Sequence, residues 1–228
     1  KPLDNRAILH RYPPGSTFKV VTAAAALASG EYTPNTEVPA PAALDLPQTT
    51  VDLPNYDGRP CGPGDRTTLA NALRISCNTA FGAIGLDLGA DRLRETAERF
   101  GLNQELDFPM EEATSIFPED ANQPQTAQSA IGQFDVAITP LQAAMIAAGV
   151  ANGGVVMQPY LVQEISGPDL TTVFEADPEQ MPNQPAVSPQ VASELTNMMI
   201  DVVENGTGQA AQIPGVSVAG KTGTAQHG

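Results

Sequence analysis

Apolar blocks alternate with polar, turn-rich stretches along this chain, and the blocks set its elements. Residues 1–15 are polar and turn-rich. Pro14 and Gly15 break the incoming chain, and residues 18–28, Phe-Lys-Val-Val-Thr-Ala-Ala-Ala-Ala-Leu-Ala, form a strong helix that Gly30 stops. Residues 31–66 carry many Pro, Gly, Asp and Thr with little periodicity, so they read as irregular, with a short hairpin around 49–58. Asp65, Thr67 or Thr68 caps a helix running to about Ile75. Ser76-Cys77-Asn78 is then a short loop before a second apolar segment, 79–88. Asp91 opens a helix over 92–100, which Gly101 ends.

Residues 103–136 read as loop. Thr139 and Pro140 start a helix over 141–151 that is apolar nearly all round, a pattern that predicts burial. Asn152-Gly153-Gly154 turns the chain into a hairpin with strands at 155–157 and 160–165. A polar, Pro-rich connection spans 167–187. Ser188-Pro189 opens a helix to about Glu204, and residues 216–225 alternate like a strand.

A chain of 228 residues is long enough for one large domain or two subdomains with a real core. Aromatics are 5% and Trp is absent, so the core is built from Ala, Leu, Val and Ile. The net charge of −15, with no Lys/Arg cluster, argues against nucleic acid as a partner. Three lysines, Lys1, Lys19 and Lys221, stand against eight arginines. Where Arg is the default cation, a Lys marks a site that needs an amine able to lose its proton; drift in base composition would produce the same bias. Cys61 and Cys77 lack metal-type spacing and are either two buried thiols or a disulfide; a bridge would pin the Ser76–Asn78 loop. Across a 16-residue separation it would contribute about 3 kcal/mol through loop-closure entropy. No apolar run has membrane-spanning length, and the chain opens at Lys1 without Met, as an excised fragment would. His10 and His227 read as surface residues, and Met181, Met198 and Met199 as core and linker.

Ser16 sits where the first helix begins, so free backbone N–H groups and the macrodipole favour negative charge beside it. Lys19 lies three residues on, on the same helical face, which gives a hydroxyl with an amine one turn away. Alone, the pair reads more readily as an N-cap at Ser16 and a solvated first-turn residue at Lys19, since Ser-x-x-Lys occurs by chance in many proteins. Ser76-x-Asn78 alone is a cap or turn, and Lys221-Thr222-Gly223 alone is a strand edge. In this order, each on a suitable element, the three form a specific constellation.

Ser16-x-x-Lys19, Ser76-x-Asn78 and Lys221-Thr222-Gly223 resemble the active-site triplet of the penicillin-binding protein and serine β-lactamase superfamily. Tyr12-Pro-Pro-Gly-Ser-Thr-Phe-Lys19, Ile131-Gly-Gln133, Thr139-Pro-Leu-Gln142, Ala151-Asn-Gly-Gly154 and Gly220-Lys-Thr-Gly-Thr224 extend the resemblance to class B penicillin-binding transpeptidase domains. In style the chain is similar to the division-associated type A proteins of actinobacteria.

The resemblance implies an α+β fold: an antiparallel sheet flanked by helices, with a helical subdomain carrying Ser76–Asn78. It implies that residues 1–228 are one transpeptidase domain that lacks the family's last strands and C-terminal helix, as well as the N-terminal module and membrane anchor. The implied reaction is acyl transfer between peptidoglycan stem peptides ending in D-Ala-D-Ala, outside the cytoplasm, with β-lactams as acylating mimics. Ser16 would be the nucleophile, Lys19 its base and Ser76 a proton relay. Asn78 would hold the substrate amide, and Lys221, Thr222, Gly223 and Thr224 would form the seat of the donor carboxylate. The oxyanion hole would be the backbone N–H groups of Ser16 and Thr224. No metal or cofactor is implied. Other cell-wall synthesis and division proteins are implied partners. A D,D-carboxypeptidase shares every motif. A class A β-lactamase needs a Glu with an Asn four residues on, whereas four residues after Glu112 stands Ile116. A β-lactam-sensing module would acylate without turnover.

Overall fold

The computed structural model describes residues 4–224. A four-residue helix, α1 (Arg6–Leu9), leads to a 3-10 turn, Gly15–Phe18, which continues into α2 (Lys19–Ala28). Strands β1 (Glu37–Pro39), β2 (Ala43–Leu44), β3 (Leu53–Pro54) and β4 (Arg66–Thr68) follow, then α3 (Leu69–Arg74) and α4 (Asn78–Arg99). Next come α5 (Gln123–Ser129), α6 (Pro140–Ala151), β5 (Glu164–Ser166), β6 (Thr172–Glu175) and α7 (Pro189–Asn205). Among the described residues the strands form three antiparallel ribbons, β1–β4, β2–β3 and β5–β6.

Helix α2 is the centre of the molecule and packs against α3, α4 and α7. Every residue from Lys19 to Leu27 is buried. Its Ala23–Ala26 run removes side-chain bulk, which lets the neighbouring helices close in, and it shares one buried core with Phe18, Phe81 and Leu195. A helix buried on all sides has no wet face for polar residues. Thr22 solves this by donating its hydroxyl to the Ala130 carbonyl at 2.7 Å, and Lys19 by the contacts described below.

The helix starts follow local grammar. Thr68, Thr139 and Ser188 cap α3, α6 and α7 through their hydroxyls, with Pro at the first position of the latter two. Several expectations are corrected. The hairpin placed at 49–58 pairs only Leu53–Pro54, with Ala43–Leu44. The second hairpin is displaced along the chain: Met157 makes an isolated bridge with Gln180, while β5 pairs β6 inside the stretch read as a connection. Both strands of that hairpin are exposed on both faces, so no alternation marks them. The segments read as two helices over 79–100 are one element, α4, kinked at Gly89, where φ is +79°. Helix α5 lies within the stretch read as loop. Helix α6 buries one side only and leaves Ala143, Ala144, Ala147 and Ala148 exposed. The final segment, read as a strand, forms none among the described residues up to Thr224; the Gly220 N–H donates to Met199 O of α7 at 3.1 Å. Ala225 and His227 lie outside the described residues. His10 is partly exposed and bonds Asp4 at 2.9 Å.

Candidate active site

The turn that carries Ser16 is anchored from two sides. Gly15 has φ +53° and donates its N–H to Gly132 O at 3.0 Å. The Thr17 hydroxyl donates to Pro14 O at 2.8 Å. The 3-10 turn then passes into α2, with the Lys19 N–H donating to the Ser16 and Thr17 carbonyls. Ser16 is therefore one turn ahead of Lys19, on a 3-10 turn and not in the α-helix proper.

Lys19 is completely buried. Its Nζ donates to Ser76 O at 2.7 Å, Asn78 Oδ1 at 2.7 Å and Ser76 Oγ at 3.3 Å, with the Phe81 ring centroid 5.8 Å away. Burial, and then the neighbouring Lys221 cation, push its pKa well below the ordinary lysine range. A neutral amine has two N–H bonds. The two short contacts can use both, which leaves the lone pair free to take a hydroxyl proton.

Lys221 reaches the same hydroxyl from the far end of the chain. Its Nζ donates to Ser76 Oγ at 2.8 Å and Thr222 O at 3.0 Å, and burial lowers its pKa to about 8. The Thr222 hydroxyl shares a 2.7 Å hydrogen bond with the Thr207 hydroxyl. Gly223 lies against the first-motif turn: a Cβ there would stand 2.7 Å from Thr17 Cγ2, so only glycine fits without a shift. Thr224 is exposed.

Ser76 has φ +62°, and this left-handed kink separates α3 from α4. It is held by Ser76 N–H to Leu73 O at 3.2 Å and Cys77 N–H to Ala72 O at 2.9 Å. Cys77 is joined to Cys61 by a disulfide with an S–S distance of 2.11 Å, which resolves the alternative between thiols and a bridge. The fold thus brings Lys19, Ser76, Asn78, Lys221 and Thr222 into one hydrogen-bonded cluster, with Ser16 on the adjoining turn. Two neighbours were missed in the sequence: Thr207, against Thr222, and Asn55, against the start of α4. Neither has a local signal, because each acts on residues far along the chain. A cavity at the far end of α2, between Gly30, Arg99 and Gln190, lies away from the site, and none of the three motifs lines it.

Comparison with solved structures defines the class. The chain superposes on penicillin-binding protein A from M. tuberculosis, solved as an imipenem acyl-enzyme complex, with TM-score 0.93 and 46% identity, covering 100% of this chain and 52% of that one. It also matches the D,D-transpeptidase domain of a peptidoglycan glycosyltransferase from Eggerthella lenta with TM-score 0.90 and 36% identity, covering 99% of this chain and 57% of that one. The fold is the α+β fold of these domains. The penicillin binding protein transpeptidase domain matches residues 1–228, and the chain belongs to that family. In sequence it is 47% identical over 228 residues to the peptidoglycan D,D-transpeptidase PbpA of Mycolicibacterium smegmatis, spanning all of this chain and 46% of that protein. It is 31% identical to the peptidoglycan D,D-transpeptidase MrdA of Acinetobacter baumannii, over 99% of this chain and 34% of that protein. The chain thus spans about half the length, or less, of these relatives.

Proposed function

We propose that this chain is the acyl-transfer domain of a peptidoglycan D,D-transpeptidase, acting at the outer face of the cell membrane on stem peptides that end in D-Ala-D-Ala. The observation that carries the reading is the convergence of both lysine amines on the Ser76 hydroxyl, beside the turn bearing Ser16. In this reading the neutral Lys19 amine takes the Ser16 Oγ proton as Oγ attacks the penultimate carbonyl carbon. The resulting oxyanion is held by backbone N–H groups of Ser16 and Thr224, each such donor worth about 3 kcal/mol of barrier. The C–N bond then breaks. The proton passes from Lys19 through the Ser76 hydroxyl to the departing D-Ala nitrogen, leaving acyl-Ser16. An acceptor amine on a second stem attacks the ester, and the proton travels back along the same path. Asn78 orients the donor amide, while Lys221, Thr222 and Thr224, beside Gly223, seat its carboxylate. A β-lactam follows the same steps, but its ring nitrogen stays tethered and the acyl-enzyme stalls. Other cell-wall synthesis and division proteins are its proposed partners.

The test is intact-mass spectrometry of the full-length protein with a penicillin, followed by peptide mapping. A persistent one-to-one adduct on the peptide containing Ser16 is the expected result. An adduct that clears within seconds would make the protein a β-lactamase, and absence of any adduct on folded protein would overturn acyl transfer altogether. With an adduct in hand, release of D-Ala without cross-linked product would move the assignment to a carboxypeptidase, and no turnover at all to a sensor.

Acylation should also depend on pH with a definite sign. The rate rises as Lys19 loses its proton and falls as pH passes about 8, where Lys221 loses the charge that seats the carboxylate. Stability moves differently. Both folded pKa values lie below the unfolded ~10.4, so the unfolded chain binds more protons in that interval and stability rises with pH. For Lys221 this rise begins near its folded value of about 8. A rate of penicillin acylation still climbing at the alkaline end of the profile would refute the assigned role of Lys221.

A further inference from the structure

Helix α4 begins at Asn78, directly after the Ser76 kink, and its first-turn N–H groups need acceptors. The residue before it cannot supply one: Cys77 makes no capping bond and its sulfur is committed to the disulfide. The acceptor comes from 23 residues upstream. Asn55 Oδ1 accepts the N–H of Asn78 at 3.0 Å and that of Thr79 at 3.0 Å. The same carboxamide donates through Nδ2 to Pro41 O at 2.9 Å and Arg59 O at 2.8 Å. All four hydrogen-bonding positions of the amide are therefore used, in a residue only 7% exposed. Reversing the amide would set an NH₂ group against two N–H donors, so its orientation is fixed. The residue before Asn55 continues the clamp, because Asn78 Nδ2 donates to Pro54 O at 3.2 Å. Asn78 is thus gripped at backbone and side chain by Asn55 and the end of β3, with its Oδ1 aimed at Lys19 Nζ, 2.7 Å away.

We infer that Asn55 is a positioning residue for acylation: by capping α4 from a distant loop it sets where Ser76 and Asn78 stand relative to Lys19 and Ser16. The inference rests on the acyl-serine reading of the site. Asn55 touches none of the reacting groups and acts through Asn78. Its removal leaves two N–H groups at the start of α4 without their acceptor and frees the second motif to shift. A displacement of about 1 Å at a reacting centre can cost on the order of 100-fold in rate.

The experiment compares full-length wild type, Asn55→Ala and Asn55→Asp, each reacted with a fluorescent penicillin. The end-point stoichiometry gives the folded, competent fraction, and the acylation rate constant gives the competence of each folded molecule. For Asn55→Ala we expect near-stoichiometric labelling with a rate constant roughly 30- to 100-fold lower. Asn55→Asp keeps an oxygen to accept both N–H groups and should recover most of that rate, although it loses the two Nδ2 bonds and some thermal stability. A purely structural role gives the opposite split, reduced stoichiometry with an unchanged rate constant, and overturns the inference. So does loss of labelling in both variants, or an Asn55→Asp rate no better than that of Asn55→Ala. Wild type that fails to label would sink the acyl-serine reading itself, whereas wild type that labels beside unaffected variants would sink only the role of Asn55.

Discussion

Lys19→Arg should lower the rate of penicillin acylation by about 10²- to 10⁴-fold, the scale of a lost general base. Arginine keeps the positive charge and comparable reach but cannot give up its proton in a protein. The environment of Lys19 works toward the neutral form: the side chain is wholly buried, and Lys221 competes for the same hydroxyl. A permanent guanidinium there would be desolvated without any chemical return. Lys19→Met is the companion variant. It sheds the buried amine but leaves Ser76 O and Asn78 Oδ1 without their donor, so its effects on stability oppose one another and the fold should survive. Acylation should be lost to the same extent as in Lys19→Arg. Stopped-flow measurement with a chromogenic β-lactam reads the rate, and a thermal melt reads the fold. If either variant kept more than a tenth of wild-type rate while melting normally, the base would have to lie elsewhere in the cluster.

Gly132→Ala should cost about 4 kcal/mol, a decrease of roughly 8–16 °C in melting temperature for a domain of this size. Gly132 has φ +74°, where a Cβ is strained. A Cβ there would also overlap the carbonyl oxygen of Gly15 and stand 2.8 Å from Phe18 Cβ. These neighbours cannot swing aside, because Gly15 donates its N–H to Gly132 O and Phe18 is anchored in the core. The backbone must therefore yield on one side, and that side carries Ser16. Gly30→Ala is the control, with φ +76° but open space around the added methyl. It should cost about 1–2 kcal/mol from backbone strain alone and leave acylation unchanged. Equal melting temperatures for the two variants would show that close approach contributes nothing.

The first motif was legible in the sequence because it is written in local grammar: a Pro-Gly break, then helix formers. The second was legible for the same reason, since Ser76-Cys77-Asn78 falls between two apolar segments. The third could be read as extended but not placed, because its neighbours, Ser76, Thr207 and Met199, are fixed only by tertiary structure. Helix α5 escaped because Gln-Pro-Gln-Thr-Ala-Gln-Ser offers no apolar period; it buries only Thr126, Ala127 and Ser129. Its start was nevertheless written in the Asn122–Gln125 capping box. The role of Asn55 was beyond reach, since a cap supplied from 23 residues away leaves no mark on either segment's periodicity. The cysteine pair stood between two readings until the fold set Cα atoms 6.1 Å apart, within bridging distance.

The Ser76 hydroxyl stands between two amines, 3.3 Å from Lys19 Nζ and 2.8 Å from Lys221 Nζ. In the proposed acyl-serine reading, groups that share one hydroxyl do not contribute independently, and losing one removes much of what the others add to the reaction. In evolutionary terms the cluster is epistatic: once any member is gone, further changes carry little added penalty, and no single reversal elsewhere restores the whole. A descendant chain should therefore keep Lys19, Ser76 and Lys221 together or drift in all three at once. A lineage that has lost one of them would be released from acyl transfer while still able to retain the fold.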